Sequence, residues 1–205
     1  MAAIMDIVAS MIFGGTLFLI VLSANGIATE TQTTYHGDML VQEVLTGTAQ
    51  MLEGELRNMG FGIPESDRTI TRADSTTISF LMDMGRDGGT PDTLTYSLGP
   101  VSELNDTQNE LDRFLKRKVN AEPVLNVGTV TTFRLRYFTR VGEQLTAPVP
   151  NDRLHEVHVV EVTMEVQNPY ALYRPKEQVQ AGERDALYST SLWQQTRLAS
   201  QNSRR

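Results

Sequence analysis

Ile7–Ala24 reads IVASMIFGGTLFLIVLSA, eighteen positions without a charge. Wound as an α-helix, this run is about 27 Å long at about 1.5 Å per residue, close to the roughly 30 Å hydrocarbon core of a bilayer. Three readings compete. A cleaved secretory signal needs a basic leading region and a small-residue cleavage site. No Lys or Arg precedes Arg57, although Ser23–Ala28 offers small residues. A plain membrane anchor is the second reading. The third is a helix that waits in the membrane and later packs against copies of itself or relatives. Gly14, Gly15 and Thr16 suit close helix approach in lipid, though they are not a GxxxG pair. Asp6 is the odd residue, and a carboxylate at a helix start is favoured by the N-terminal dipole and tolerated at a membrane interface.

The helical pattern continues past the apolar run. Asn25 and Gly26 weaken it and suggest a kink. From Ala28 to Met59 there is no Pro, and Tyr35, Met39, Leu40, Val44, Leu45, Met51, Leu52, Leu56 and Met59 recur at mostly helical spacing. Glu30, Gln32, Asp38, Gln42, Glu43, Gln50 and Glu53 fall on the other side. Gly37, Gly47 and Gly54 each cost about 1 kcal/mol relative to Ala, so the stripe needs a surface to pack on. Gly60-Phe61-Gly62-Ile63-Pro64 ends the helix.

After Pro64 the texture changes to short alternating runs rich in Thr, Val, Phe and Tyr. Ile78, Phe80 and Met82 share one face; Leu94, Tyr96 and Leu98 share another, with a Gly/Asp/Pro turn across 84–91 between them. Asn109–Lys118 reads as a short strand or a helical turn. Phe133, Leu135 and Tyr137 alternate with Arg134 and Arg136. Val160, Val162, Met164 and Val166 face a core, with Glu161, Thr163 and Glu165 outward. Residues 168–184 form an irregular excursion, and Tyr188, Thr190, Leu192 and Thr196 a final strand. The expected fold is α+β: a long helix covering one face of an antiparallel sheet of five or six strands. The expected division is 1–24 as membrane or assembly helix, 25–60 as its amphipathic continuation, and 61–205 as a β-rich globular domain.

Composition narrows the function. The chain has 205 residues and a net charge of −7, from 25 acidic and 18 basic side chains, which argues against nucleic acid as the main partner. With no Cys there is neither a disulfide nor a thiolate metal site. His155-Glu156-Val157-His158 lies in a two-residue period, so its histidines point to opposite faces and lack a third ligand. Asp83, Asp87 and Asp92 around Gly85, Gly88 and Gly89 miss the EF-hand spacing and read as a solvated turn. There is no GxSxG elbow and no glycine-rich phosphate loop. Glu53 with Glu55, and Glu161 with Glu165, read as solvated surface. Arg113, Lys116, Arg117 and Lys118 form the one basic cluster, suited to a salt contact between subunits. No catalytic set, cofactor site or metal site is expected.

The order of elements resembles type IV pilins and the pseudopilins of type II secretion, closest to W-type minor pilins and J-type pseudopilins. Leu52–Gly62 (LEGELRNMGFG) is similar to the family's helix end with Arg and Gly-aromatic-Gly. Leu125–Phe138 looks like its strand ending in an aromatic before a Gly turn, and Leu154–Val166 like its long Val-rich strand. Tyr188–Arg197 sits where the family places its closing Thr-rich strand. The likeness covers nearly the whole chain through degenerate stretches. The family begins with a basic leader and carries Glu at the fifth mature position; here no such leader or Glu is found, and Asp6 becomes fifth if Met1 is removed. The resemblance therefore implies an assembly role for Asp6, where a carboxylate neutralises a neighbour's N-terminal amine, and processing or methylation at Met1 or Ala2.

It further implies a structural, non-enzymatic subunit, minor or tip-located, in the bacterial inner membrane with a single span and an extracytoplasmic globular domain. Its partners would be other pilin or pseudopilin subunits, the inner-membrane assembly machinery and the membrane, with no nucleic acid. The competing expectation is a single-pass anchored binding or sensor domain that does not polymerise.

Overall fold

The computed structural model describes residues 2–64, 68–85, 88, 90–104, 109, 111–168 and 191–199, with the backbone alone at 2, 3 and 191–195. The chain begins as one helix, α1 (Ala2–Arg57), whose 56 residues span about 84 Å. It passes through Asn25 and Gly26 without a break in the helical assignment. It ends where the sequence places its stop. Gly60 and Gly62 take φ of +78° and +72°, a region that side chains with a Cβ rarely adopt. The exit is then tied to the sheet, with Gly60 N–H donating to the Leu81 carbonyl at 2.9 Å and Asp83 N–H to that of Phe61 at 2.8 Å.

Beyond the helix the described residues form two antiparallel sheets. The first has the order β1 (Ile70–Ala73), β2 (Thr77–Met82), β3 (Asp92–Leu98), β4 (Arg113–Val119), β5 (Leu125–Val130). The second joins β7 (Gln144–Leu145), β6 (Thr132–Phe138), β8 (Val159–Gln167) and β9 (Ser191–Ala199) in that order. The fold is α+β, but the expected sheet of five or six strands is replaced by these two. Leu125–Phe138, which reads as one strand, is two strands in different sheets. Thr131 makes the corner, its N–H and hydroxyl both donating to the Glu165 carbonyl at 2.9 and 3.1 Å. Asn109–Lys118 resolves as strand over Arg113–Val119.

One hydrophobic cluster runs through both sheets and the helix. Ile78, Phe80, Met82, Leu94, Tyr96, Phe133, Leu135, Tyr137, Val160, Val162, Met164 and Val166 are buried, on the faces their alternation predicts. The helix contributes Val41, Leu45, Ala49, Leu52 and Leu56, with Met59 just past its end, and it packs against β5, β8 and β9. Tyr35, Met39 and Leu40, expected in this stripe, are exposed at 67%, 68% and 46%. At about 100° per residue Tyr35 and Met39 lie on the back of the helix, while the buried line takes in Gly37, Thr48 and Ala49, which apolarity alone does not mark.

Two phenols lie in this core. Burial, and after it the Glu55 carboxylate, pushes the Tyr96 phenol well above its ordinary value; burial does the same for Tyr137, whose hydroxyl donates to the Asp74 carbonyl at 2.7 Å. Both hold the proton more tightly folded than unfolded. The stability they contribute is therefore complete below about pH 10 and is lost as pH rises beyond it, by roughly 1.4 kcal/mol per pH unit for each group. Urea midpoints measured between pH 9 and 11.5 should fall along that slope, and Tyr137→Phe should make it shallower. An unchanged slope in the variant would assign the alkaline loss to other groups.

Candidate membrane and assembly helix

Among the described residues, nothing packs on the N-terminal half of α1. From Ile4 to Ile27 every large apolar side chain is at least 50% exposed. The helix is long and apolar enough to cross a membrane, and its most apolar window has no buried residue. Among the described residues no partner covers this apolar surface, which is the exposure expected of a helix able to span a bilayer. A Cβ at Gly14 or Gly15 would meet no atom within 4 Å, which leaves both positions open to a close neighbour.

The other half of α1 is seated by small and polar residues. Asn168, buried at the end of β8, donates through Nδ2 to the Thr34 carbonyl at 3.0 Å and to Asp38 Oδ1 at 2.7 Å. Gly37 makes room for it, because a Cβ there would stand 2.4 Å from Asn168 Oδ1. Lower down, Thr48 donates to the Val127 carbonyl at 3.3 Å, and a Cβ at Gly128 would stand 2.6 Å from the Thr48 hydroxyl. At the base, Glu55 takes Arg117 in a fork: Nη2 to Oε1 at 2.7 Å, and Nε to Oε1 and Oε2 at 3.0 and 3.1 Å. The Tyr96 hydroxyl donates to the same carboxylate. The hydrogen bond to Glu55 raises the Arg117 guanidinium above its ordinary value. These contacts fix both the height and the rotation of the domain on the helix.

No protein-family model, curated protein or solved structure matches the chain.

Asp6 lies in the apolar half of α1. Its carbonyl accepts the Ser10 hydroxyl at 2.7 Å. Met1 lies outside the described residues. Ala2 is the first described residue of α1.

Several polar residues sit differently from their sequence reading. Glu55 is a buried-side ion-pair partner rather than solvated surface, because β3 and β4 bring Tyr96 and Arg117 beneath it. Glu161 has 0% exposure and pairs with Arg136 and Arg197 on the flanking strands. Of the basic cluster, Arg117 pairs with Glu55 and Lys116 with Glu103 at 2.6 Å, so half of it is spent within the chain. His155 lies in a 3₁₀ turn, Leu154–Glu156, and His158 precedes β8, so neither is the strand residue that the two-residue period suggests. The turn is fixed by Arg153 reaching Glu156 at 2.7 Å.

In the acidic loop, Asp83 Oδ2 accepts the Gly88 N–H at 3.0 Å and Asp92 accepts from Met84 N–H and Asn120 Nδ2. Asp87 and Gly89 lie outside the described residues, as do most of the 168–184 excursion, Tyr188 and Thr190. Among the described residues no group of three His, Asp or Glu side chains could hold a metal ion. A recess of about 10 Å³ between α1, β8 and β9, lined by Leu52, Met164 and Leu198 among others, is about the size of one water.

Proposed function

We propose that the chain is a structural subunit, minor or tip-located, of a type IV pilus or type II secretion pseudopilus. The observation that supports this most is one continuous helix with two fates: a bare apolar half, and a half locked to a β-domain. In this reading residues 4–27 rest in the bacterial inner membrane with the domain outside the cytoplasm. The assembly machinery then draws the subunit out, and contacts with neighbouring subunits replace contacts with lipid. Lipid tails are as apolar as the side chains they touch, so the exchange is nearly neutral in burial and close packing decides it. Gly14 and Gly15 give the neighbour its closest approach. Asp6, with Met1 removed, pairs with a neighbour's terminal amine; an unpaired charge in that setting is costly, and pairing offsets it. The size of the β-domain suits a minor subunit, by analogy with the family.

The chain has no Cys, so a single Phe13→Cys or Leu17→Cys reports helix neighbours cleanly. Oxidation in native membranes should yield disulfide-linked adducts when the partner subunit carries a matching Cys. Asp6→Ala should reduce incorporation into filaments at least about tenfold while leaving the chain in the membrane, as expected for a lost charge pair in an apolar setting. Undiminished incorporation of Asp6→Ala would remove the pairing role. An absence of adducts along the whole apolar half would leave a monomeric anchored binding or sensor domain instead.

A further inference from the structure

Residues 25–34 of α1 lie between its two supported stretches and share the support of neither. Before them runs the apolar half, whose surface suits a bilayer. After them Gly37 and Val41 are buried against the domain, and Asn168 sits on the Thr34 carbonyl and Asp38. From Asn25 to Thr33 every residue is exposed, and a Cβ at Gly26 would meet no atom within 4 Å. A helical stretch in water persists through tertiary packing or through strong helix formers. Among the described residues nothing packs here, and the sequence withholds the helix formers. Asn25, Gly26, Thr29, Thr31, Thr33 and Thr34 fill six of the ten positions, all residue types that favour helix less than Ala does.

The threonines add a second weakness, because each turns its hydroxyl back on its own helix. Thr29 donates to the Asn25 carbonyl at 2.9 Å, Thr31 to that of Ile27 at 2.8 Å, Thr33 to that of Thr29 at 2.9 Å and Thr34 to that of Glu30 at 3.1 Å. In an α-helix those four carbonyls also take the backbone N–H four residues on, so each is shared. Back-bonding of this kind weakens a helix slightly and bends it. When the backbone bond opens, the hydroxyl stays as a local partner for the freed carbonyl. Thr46, Gly47 and Gly54 are equally poor helix formers in the other half. There the sheets hold the helix, through Leu45, Thr48, Ala49 and Leu52, all buried.

We infer that residues 25–34 are a joint, a stretch of α1 that bends and opens while the halves on either side stay helical. The β-domain then pivots relative to the apolar half. The unbroken helix is the resting state, and what marks this stretch is how little opposes its opening. The joint needs no filament assembly, and it works whether the apolar half is met by lipid or by another helix.

Amide exchange of the full chain in nanodiscs tests this. Amides at 28–34 should exchange at least about a hundredfold faster than those at 45–56. The chain has no Cys, so spin labels at Leu22→Cys/Gln42→Cys report the angle of the joint. A stiff helix holds these positions about 30 Å apart, and the native chain should give a broad distribution reaching well below that. Asn25→Ala/Gly26→Ala/Thr29→Ala/Thr31→Ala/Thr33→Ala changes exposed positions alone. It should slow exchange at 28–34 at least about tenfold and narrow the label distances. Thr46→Ala/Gly47→Ala/Gly54→Ala makes the same kind of change where the sheets hold the helix, and it should leave 28–34 as it was. Exchange at 28–34 as slow as at 45–56, a single narrow distance in the native chain, or an unaltered rate in the first alanine variant would each overturn the joint. Flotation with vesicles reports on the span separately, because the reference at 45–56 does not depend on lipid.

Discussion

Glu55→Ala should lower the unfolding free energy by about 3–5 kcal/mol, the range for breaking one partner out of a sheltered ion pair. The cost comes from what is left behind. Arg117 is mostly shielded from solvent and directs three hydrogen-bond contacts at the lost carboxylate, and the buried Tyr96 hydroxyl donates to it as well. Alanine leaves all of these donors without a nearby acceptor. The effect should also be local. Glu55 joins α1 to β3 and β4, so its loss should loosen the base of the helix on the first sheet before the second sheet responds. Urea unfolding of the detergent-solubilised chain gives the magnitude, and amide exchange at 113–119 against 159–167 gives the location. Glu55→Leu/Arg117→Met should recover part of the loss, since a matched apolar pair strands no charge. If Glu55→Ala costs under about 1 kcal/mol, the pair behaves as an ordinary exposed surface bridge.

Leu17→Asp should shift the chain out of the membrane by roughly 3 kcal/mol, more than a hundredfold in partition. Leu17 lies near the middle of the bare apolar half, where a carboxylate cannot reach either interface. Tyr35→Asp on the same helix should change partition little, because Tyr35 lies beyond the apolar run. Flotation of nanodisc or vesicle mixtures separates the two results. Equal behaviour of both variants would mean that the span is placed wrongly along the helix.

Much of this architecture was legible in the sequence because it rests on periodicity. The helix stop at Gly60, the core alternations at Ile78–Met82 and Phe133–Tyr137, and the β2–β3 hairpin all follow from local spacing and turn chemistry. The misreadings share a cause, which is that burial depends on what another segment brings. Nothing near Glu161 announces that Arg136 and Arg197 will pair with it. Nothing near Glu55 announces Tyr96 and Arg117, which lie 41 and 62 positions away. Gly37 reads as a helix-weakening residue until Asn168, at 131 positions' distance, fills the space that its missing side chain leaves. The corner at Thr131 is likewise set by a carbonyl in β8. Of the candidate site, the apolar half of α1 could be read directly, because an unbroken apolar run needs no other segment to mark it. The residues that hold the domain against the other half could not.

The seat of Asn168 at Thr34 and Asp38 is the uppermost hydrogen-bonded contact between domain and helix among the described residues. With residues 4–27 in a bilayer, about seven helical residues separate the apolar run from that seat, a spacer of about 10 Å. That length is close to the distance over which physiological salt screens charge, about 8 Å. The acidic domain would thus be held at the edge of the headgroups' electrostatic reach, near the membrane but largely screened from repulsion by it.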